Sequence, residues 1–187
     1  MEIYLLRHAQ TVANEQGING SRTDSPLTDA AKIFIQKLIP ALNKNHYDIV
    51  FVSPLKRTLE TVQPYLDSLP ERRKPEIIKS SLITERDLGE LTNTPKGYIE
   101  KYRLEHQVVD KIAWRPPQGE SVLDVLERAK LFLLQLKTHF AGKTVLICSH
   151  QNFLHGLELL ILNRSSADFF NHDLPKFENG EIRKYIL

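Results

Sequence analysis

Five short apolar runs rich in β-branched residues punctuate the chain, at 2–6, 48–52, 76–83, 143–148 and 181–186. Runs of that length, bounded by polar and turn-forming residues, predict strands. Between them the apolar spacing lengthens to that of a helix. Leu27, Ala31, Phe34, Leu38 and Leu42 make one such stripe, and Pro40 inside it is expected to kink or end the helix. Ser53-Pro54 predicts a helix start, as an N-cap followed by a first-turn proline. Over 121–140, Val122, Val125, Leu126, Ala129, Leu133, Leu136 and Phe140 share one face, and Ser121 with Asp124 suits a capping box. A last apolar helix is predicted over 152–162. Strands alternating with helices predict an α/β fold: a single-domain, three-layer α/β/α sandwich around a mostly parallel sheet. Residues 86–118 break the alternation. They are polar, hold Pro95, Pro116 and Pro117, and show only a weak helical pattern near 95–106. This stretch is expected to be an excursion over the sheet and a candidate lid.

Length and composition narrow the classes. The 187 residues suit one domain over 1–187, and 41% hydrophobic with 26% charged residues lies near the average of water-soluble chains. No apolar run approaches the roughly 18 residues of a membrane span, and Met1-Glu2-Ile3-Tyr4 lacks the basic start of a signal peptide. Cys148 is the single cysteine, so no internal disulfide can form, and a reducing cytoplasm is the expected location. A net charge of +2 is too small to argue for nucleic acid. The expected partner is a small anionic metabolite, with neither nucleic acid nor membrane.

In open parallel sheets, ligands bind beyond the carboxyl ends of the strands. Arg7-His8 follows the first strand, Lys56-Arg57 follows the second, Glu85-Arg86 the third, and Ser149-His150-Gln151-Asn152 the fourth. Arginine forks match phosphate oxygens and stay charged at any working pH, so Arg7 and Arg57 suit a phosphate dianion. Thr11 and Asn14 add neutral donors, and the backbone N–H groups of Gln151 and Asn152, opening a helix after His150, are expected to point at the same anion. An imidazole among arginines loses basicity, which makes His8 a neutral nucleophile for phosphorus. Glu85 is the expected proton donor to the departing oxygen, ahead of Asp87, Glu90 and Glu120; Glu120 is expected to order the helix start near Ser121. A metal held by His8, His150 and Glu85 is disfavoured by the adjacent arginine. His155 reads as a core residue and His46, His106, His139 and His172 as surface residues.

Six segments, LRHAQTVAN (6–14), SRTDSPLT (21–28), SPLKRTLETV (53–62), LITERDLGEL (82–91), PPQGESVLDVLERA (116–129) and VLICSHQNF (145–153), resemble the histidine phosphatase superfamily in order. This clan holds cofactor-independent phosphatases and 2,3-bisphosphoglycerate-dependent phosphoglycerate mutases. The resemblance implies a phosphoglycerate mutase-like fold, His8 as the phosphorylated nucleophile, and a phosphate pocket of Arg7, Arg57 and His150 with Asn14. It implies Glu85 as proton donor, and no metal or organic cofactor. Ala9, Gln151 and Ala30-Ala31 stand where the family favours glycine; alanine at a position needing positive φ strains a loop, and the Gln151 side chain is expected to narrow the pocket. The shortness of the chain favours a phosphatase over a mutase, and a catalytically idle phosphate-binding module is the rival of another class. Arg103 and Arg115 are candidates for a substrate carboxylate, and Tyr98, Lys101, Tyr102 and Trp114 for discrimination between substrates.

Overall fold

A computed structural model describes residues 1–187. Five strands form one sheet in the order β3-β2-β4-β1-β5. They are β1 (Glu2–Arg7), β2 (Ile49–Val52), β3 (Glu76–Lys79), β4 (Thr144–Ser149) and β5 (Ile182–Ile186). The first four run parallel; β5 pairs antiparallel on the outer edge of β1.

Alternation along the central strands divides their side chains between two cores. Ile3 and Leu5 of β1, Ile49 and Phe51 of β2, and Val145 and Ile147 of β4 join one cluster. Helices α5 (Val122–His139) and α6 (Gln151–Ile161) cover it with Val125, Ala129, Phe132, Leu136, Phe153 and Leu157. The intervening residues, Tyr4, Leu6, Val50, Val52, Leu146 and Cys148, face the other way. There they meet Leu38 and Leu42 of α2 (Asp29–Leu42) and Val62, Tyr65 and Leu66 of α3 (Lys56–Asp67). The result is the expected α/β/α sandwich, with both sheet faces buried as parallel strands require.

Three boundaries depart from the sequence pattern. The third apolar run is strand only to Lys79; Ser81–Ile83 forms a 3-10 turn that drops Ile83 into the α5–α6 core. β2 ends at Val52, so no partner remains for a longer β3. Helix α2 continues through Pro40 to Leu42. Proline removes one bond, to the carbonyl of Gln36, and both residues lie on the exposed face where water replaces it. Helix α3 starts at Lys56 rather than Pro54, with Leu55 as a cap lacking a side-chain bond. Its first turn is served instead by Asp24, whose Oδ1 accepts the Lys56 N–H at 3.2 Å. Ser121 and Asp124 do form the reciprocal cap of α5.

A short helix α1 (Val12–Glu15) follows β1, and α4 (Tyr98–Glu105) is the only α-helix within 86–118. That excursion is closed at its base: the Glu120 N–H donates to the Asp87 carbonyl at 2.9 Å and the Glu90 N–H to that of Pro117 at 3.0 Å. No helix is long and apolar enough to cross a membrane.

Candidate active site

β1 and β4 are parallel neighbours with Arg7 opposite Ser149. The next residues, His8 and His150, therefore leave the sheet side by side, with ring centroids 5.2 Å apart. They open into a cavity of about 600 Å³ whose lining includes Arg7, His8, Asn14, Arg57, Glu85 and Gln151. His150 is fully buried and is not part of that lining; it lies behind it, against the lining residues His8 and Arg57.

The two imidazoles are held in opposite tautomers. His8 Nδ1 lies 2.7 Å from the Ala9 carbonyl. A carbonyl can only accept, so Nδ1 carries the proton and Nε2 keeps its lone pair. His150 Nδ1 sits 3.2 Å from Arg57 Nε, which can only donate. His150 must then carry its proton on Nε2, and that buried nitrogen has no protein partner. One ring thus offers a nucleophilic nitrogen and its neighbour an unused donor. Burial first, then Arg57 and Arg7, holds His8 well below the ordinary histidine value. Burial and the same arginines act likewise on His150. Both rings are neutral near pH ~7. Burial leads here, where the sequence pointed to the arginines.

Arg57 is buried, and two backbone carbonyls fix its fork: Nη1 donates to Thr23 at 2.6 Å and Nη2 to Ser21 at 2.8 Å. Arg7 donates from Nη1 to the Phe177 carbonyl at 2.7 Å, and its buried Nε lacks a partner. Thr11 and Asn14 cap α1 reciprocally: Thr11 Oγ1 accepts the Asn14 N–H and Asn14 Oδ1 accepts the Thr11 N–H. Asn14 Oδ1 also accepts from Asn179 Nδ2 at 3.2 Å. Its own NH₂ is what remains for an anion. Thr11 lines the cavity too, with its capping role accounting for its position.

Glu85 Oε1 accepts the Arg86 N–H at 2.8 Å and the Asn152 N–H at 3.2 Å. This corrects one expectation: the Asn152 amide does not face the anion but anchors Glu85, because a carboxylate at a helix N-terminus is itself well placed there. Gln151 does line the cavity, and both its side-chain polar atoms are buried without partners. Glu120 binds Arg22 at 2.8 Å and Arg128 at 3.0 Å, besides accepting the Asp87 N–H. It ties segments together rather than ordering α5. Arg115 is exposed, paired to Asp124 at 2.6 Å, and outside the cavity. Tyr98, Lys101, Tyr102 and Trp114 also fall outside the lining, whereas Arg103 belongs to it.

Ala9 is accommodated without strain. It is not among the residues with positive φ, its N–H donates to Thr61 Oγ1 at 2.9 Å, and its methyl packs with Leu27, Ala31 and Ile35. Residues that the sequence left without a role now have one. Thr61 and Asn179 brace the loop around His8, and Arg22 Nε donates to the Glu85 carbonyl at 3.0 Å. Nothing local in the sequence marks them, since each partner is remote along the chain. His155 is buried, with Nε2 against the Phe169 carbonyl at 3.0 Å. No group of three or more His, Cys, Asp or Glu side chains is placed to hold a metal ion.

The profile of the histidine phosphatase superfamily (branch 1) matches residues 3–184. The chain is 30% identical over 183 residues to the 2,3-bisphosphoglycerate-dependent phosphoglycerate mutase of Bartonella quintana, covering 92% of this chain and 86% of that one. It is 26% identical over 176 residues to phosphoserine phosphatase 1 of Hydrogenobacter thermophilus, covering 91% and 81%. A mycobacterial glucosyl-3-phosphoglycerate phosphatase superposes with a TM-score of 0.83 at 18% identity, over 98% of this chain and 91% of that one.

Proposed function

The chain belongs to the histidine phosphatase superfamily, and on that footing we propose that it is a phosphomonoester hydrolase acting through a phosphohistidine on a small phosphorylated metabolite. The observation that carries this reading is the tautomer pair: a lone pair on His8 Nε2 beside a buried, unpartnered N–H on His150.

The chemistry follows from the placement. Arg7, Arg57, the His150 Nε2–H and the Asn14 amide hold the phosphoryl oxygens. His8 Nε2 attacks phosphorus, forming an N–P bond as the ester P–O bond breaks. Glu85 delivers a proton to the departing oxygen. Glu85, now a carboxylate, then takes a proton from water, whose oxygen attacks phosphorus; the N–P bond breaks and inorganic phosphate leaves. Charge grows on oxygens that preorganised donors already surround, where such donors lower the barrier most. The arginines supply the positive charge, so the reaction needs no metal or organic cofactor. The 86–118 segment, whose α4 contributes to the cavity lining, is the lid and specificity wall in this reading.

Likeness to a phosphoglycerate mutase keeps a second reading in view. Hydrolysis of p-nitrophenyl phosphate that resists a chelator, with an acid-labile phosphoryl label on the protein, is the expected result. A His8→Ala variant should lose both and keep its fold. Phosphoglycerate interconversion strongly stimulated by 2,3-bisphosphoglycerate would favour the mutase instead. Binding of vanadate without turnover of any phosphoester would favour an idle phosphate-binding module.

A further inference from the structure

β5 runs antiparallel along the outer edge of β1, so the chain enters β5 at the rim where β1 ends. Leu6 pairs with Ile182, which brings the turn before β5, residues Phe177 to Gly180, beside His8. Bonds and packing on several sides fix this turn. Phe177 is buried in the α5–α6 core, with Arg183 Cζ 3.9 Å from its ring centroid. The Gly180 N–H donates to the Arg7 carbonyl at 3.1 Å, and the Arg7 N–H to that of Glu181 at 3.1 Å. Gly180 takes φ +78°, and the Phe34 ring occupies the space that a Cβ there would need.

Asn179 projects from this turn into the site. Its Nδ2 donates twice, to the His8 carbonyl at 3.0 Å and to Asn14 Oδ1 at 3.2 Å. Backbone groups force the orientation of both carboxamides. The Thr11 N–H can only donate, and it lies 3.1 Å from Asn14 Oδ1; the His8 carbonyl can only accept. Asn14 Oδ1 thus receives two donors, and the Asn14 NH₂, on a residue that lines the cavity, is the part of that side chain left for an anion. The bridge needs two hydrogens on one short-stemmed atom. Serine and threonine offer one hydrogen, and an ionised aspartate none.

Two donors on one amide oxygen polarise the group and strengthen its own N–H bonds as donors. The shared nitrogen also ties the backbone of the nucleophile to an anion ligand carried by another element, α1. A displacement of about 1 Å between reacting groups can cost about a hundredfold in rate. We propose that Asn179 is a positioning residue of this site: it holds the Asn14 NH₂ toward the phosphoryl oxygens and sets its place relative to His8. The proposal rests on the reading of the cavity as a phosphate seat.

A double-mutant cycle on orthovanadate affinity tests it without turnover. Asn14→Ala should weaken vanadate about tenfold or more, as expected for a lost bond to a charged group. Asn179→Ala should weaken it about threefold to tenfold, although Asn179 itself leaves no contact with the anion. Added to Asn14→Ala, however, Asn179→Ala should cost less than about twofold more, because the residue through which it acts is gone. A merely structural role would lower the urea midpoint in both backgrounds and make the affinity losses multiply. Losses that multiply, or an Asn179→Ala variant that binds vanadate as the wild type does, overturn the proposal. If Asn179→Ala does not fold, Asn179→Asp takes its place: it keeps the shape and, ionised, has no hydrogen to donate. Its loss should then be about threefold or more smaller in the Asn14→Ala background than in the wild type, and equal losses overturn the assignment. A wild type that binds no vanadate removes the phosphate seat and this proposal with it. Coupling between Asn14 and Asn179 without a His8-dependent phosphoryl label would count against the phosphatase reading and in favour of this one.

Discussion

Acid should unfold this protein earlier than its carboxylates require, and the cause lies chiefly in the two buried imidazoles of the site. His8 and His150 are 3% and 0% exposed, and both are held well below the ordinary value of 6.5. The unfolded chain takes up a proton on each histidine as pH falls through that value, while the folded protein refuses it. The unfolded state therefore binds more protons, and stability rises with pH across this window and falls as pH drops below it. A ring that stays neutral in the folded protein costs at most about 1.4 kcal/mol between about pH 7.5 and about pH 5.5, which bounds the pair at about 3 kcal/mol. That is a large part of the margin of about 5–15 kcal/mol typical of a folded domain. Urea unfolding in phosphate-free buffers measures it, because phosphate would bind only the folded state and mask the effect. His8→Gln and His150→Gln should each remove about a third to a half of the pH slope, whatever they do to stability at neutral pH; His155, also buried and held below its ordinary value, contributes to what remains. A wild type whose stability is flat over this range, or variants that keep the full slope, would refute the reasoning.

Two further substitutions probe the proton donor and the excursion. Glu85→Gln should lower kcat about 10²–10⁴-fold for an alkyl phosphate such as glycerol 3-phosphate, but far less for p-nitrophenyl phosphate, whose leaving group departs without a proton; equal losses on both substrates would remove Glu85 from the acid role. At Gly89, with φ +50°, an added Cβ would lie 2.0 Å from the Pro117 carbonyl oxygen. Gly89→Ala should cost about 3 kcal/mol or more, read as a lowered urea midpoint; a change under about 1 kcal/mol would mean that the two ends of the excursion are not joined there.

What the sequence revealed and what it hid divide along one physical line. Strand-end chemistry was legible because a short apolar run that stops at Arg7-His8 or Ser149-His150 is a local signal, and parallel topology then brings such ends to one rim. The reciprocal cap of Ser121 and Asp124 was legible for the same reason, lying within four residues. Pairings across long stretches of chain were not. Asp24 serves the first turn of α3, Thr61 receives the Ala9 amide, and Asn179 ties Asn14 to the His8 carbonyl. No spacing rule announces them. Pro40 misled because the rule against proline in helices assumes that a lost bond is buried or followed by several more turns; here it is exposed and two residues from the end. Arg115 and Arg103 looked alike in sequence, and only packing separated an exposed side chain paired to Asp124 from a buried guanidinium beside Trp114 and Phe170.

The rung between β1 and β4 has a consequence for how such a site can vary. The two imidazoles stand one residue beyond the Arg7–Ser149 rung, so their 5.2 Å separation is close to the spacing of about 4.8 Å that adjacent strands keep in any sheet. Backbone hydrogen bonding sets where the two side chains start, and the Ala9 carbonyl and Arg57 then hold the rings. Insertions and deletions in the excursion can then reshape what enters the cavity while the distance between the rings stays at its sheet-determined length.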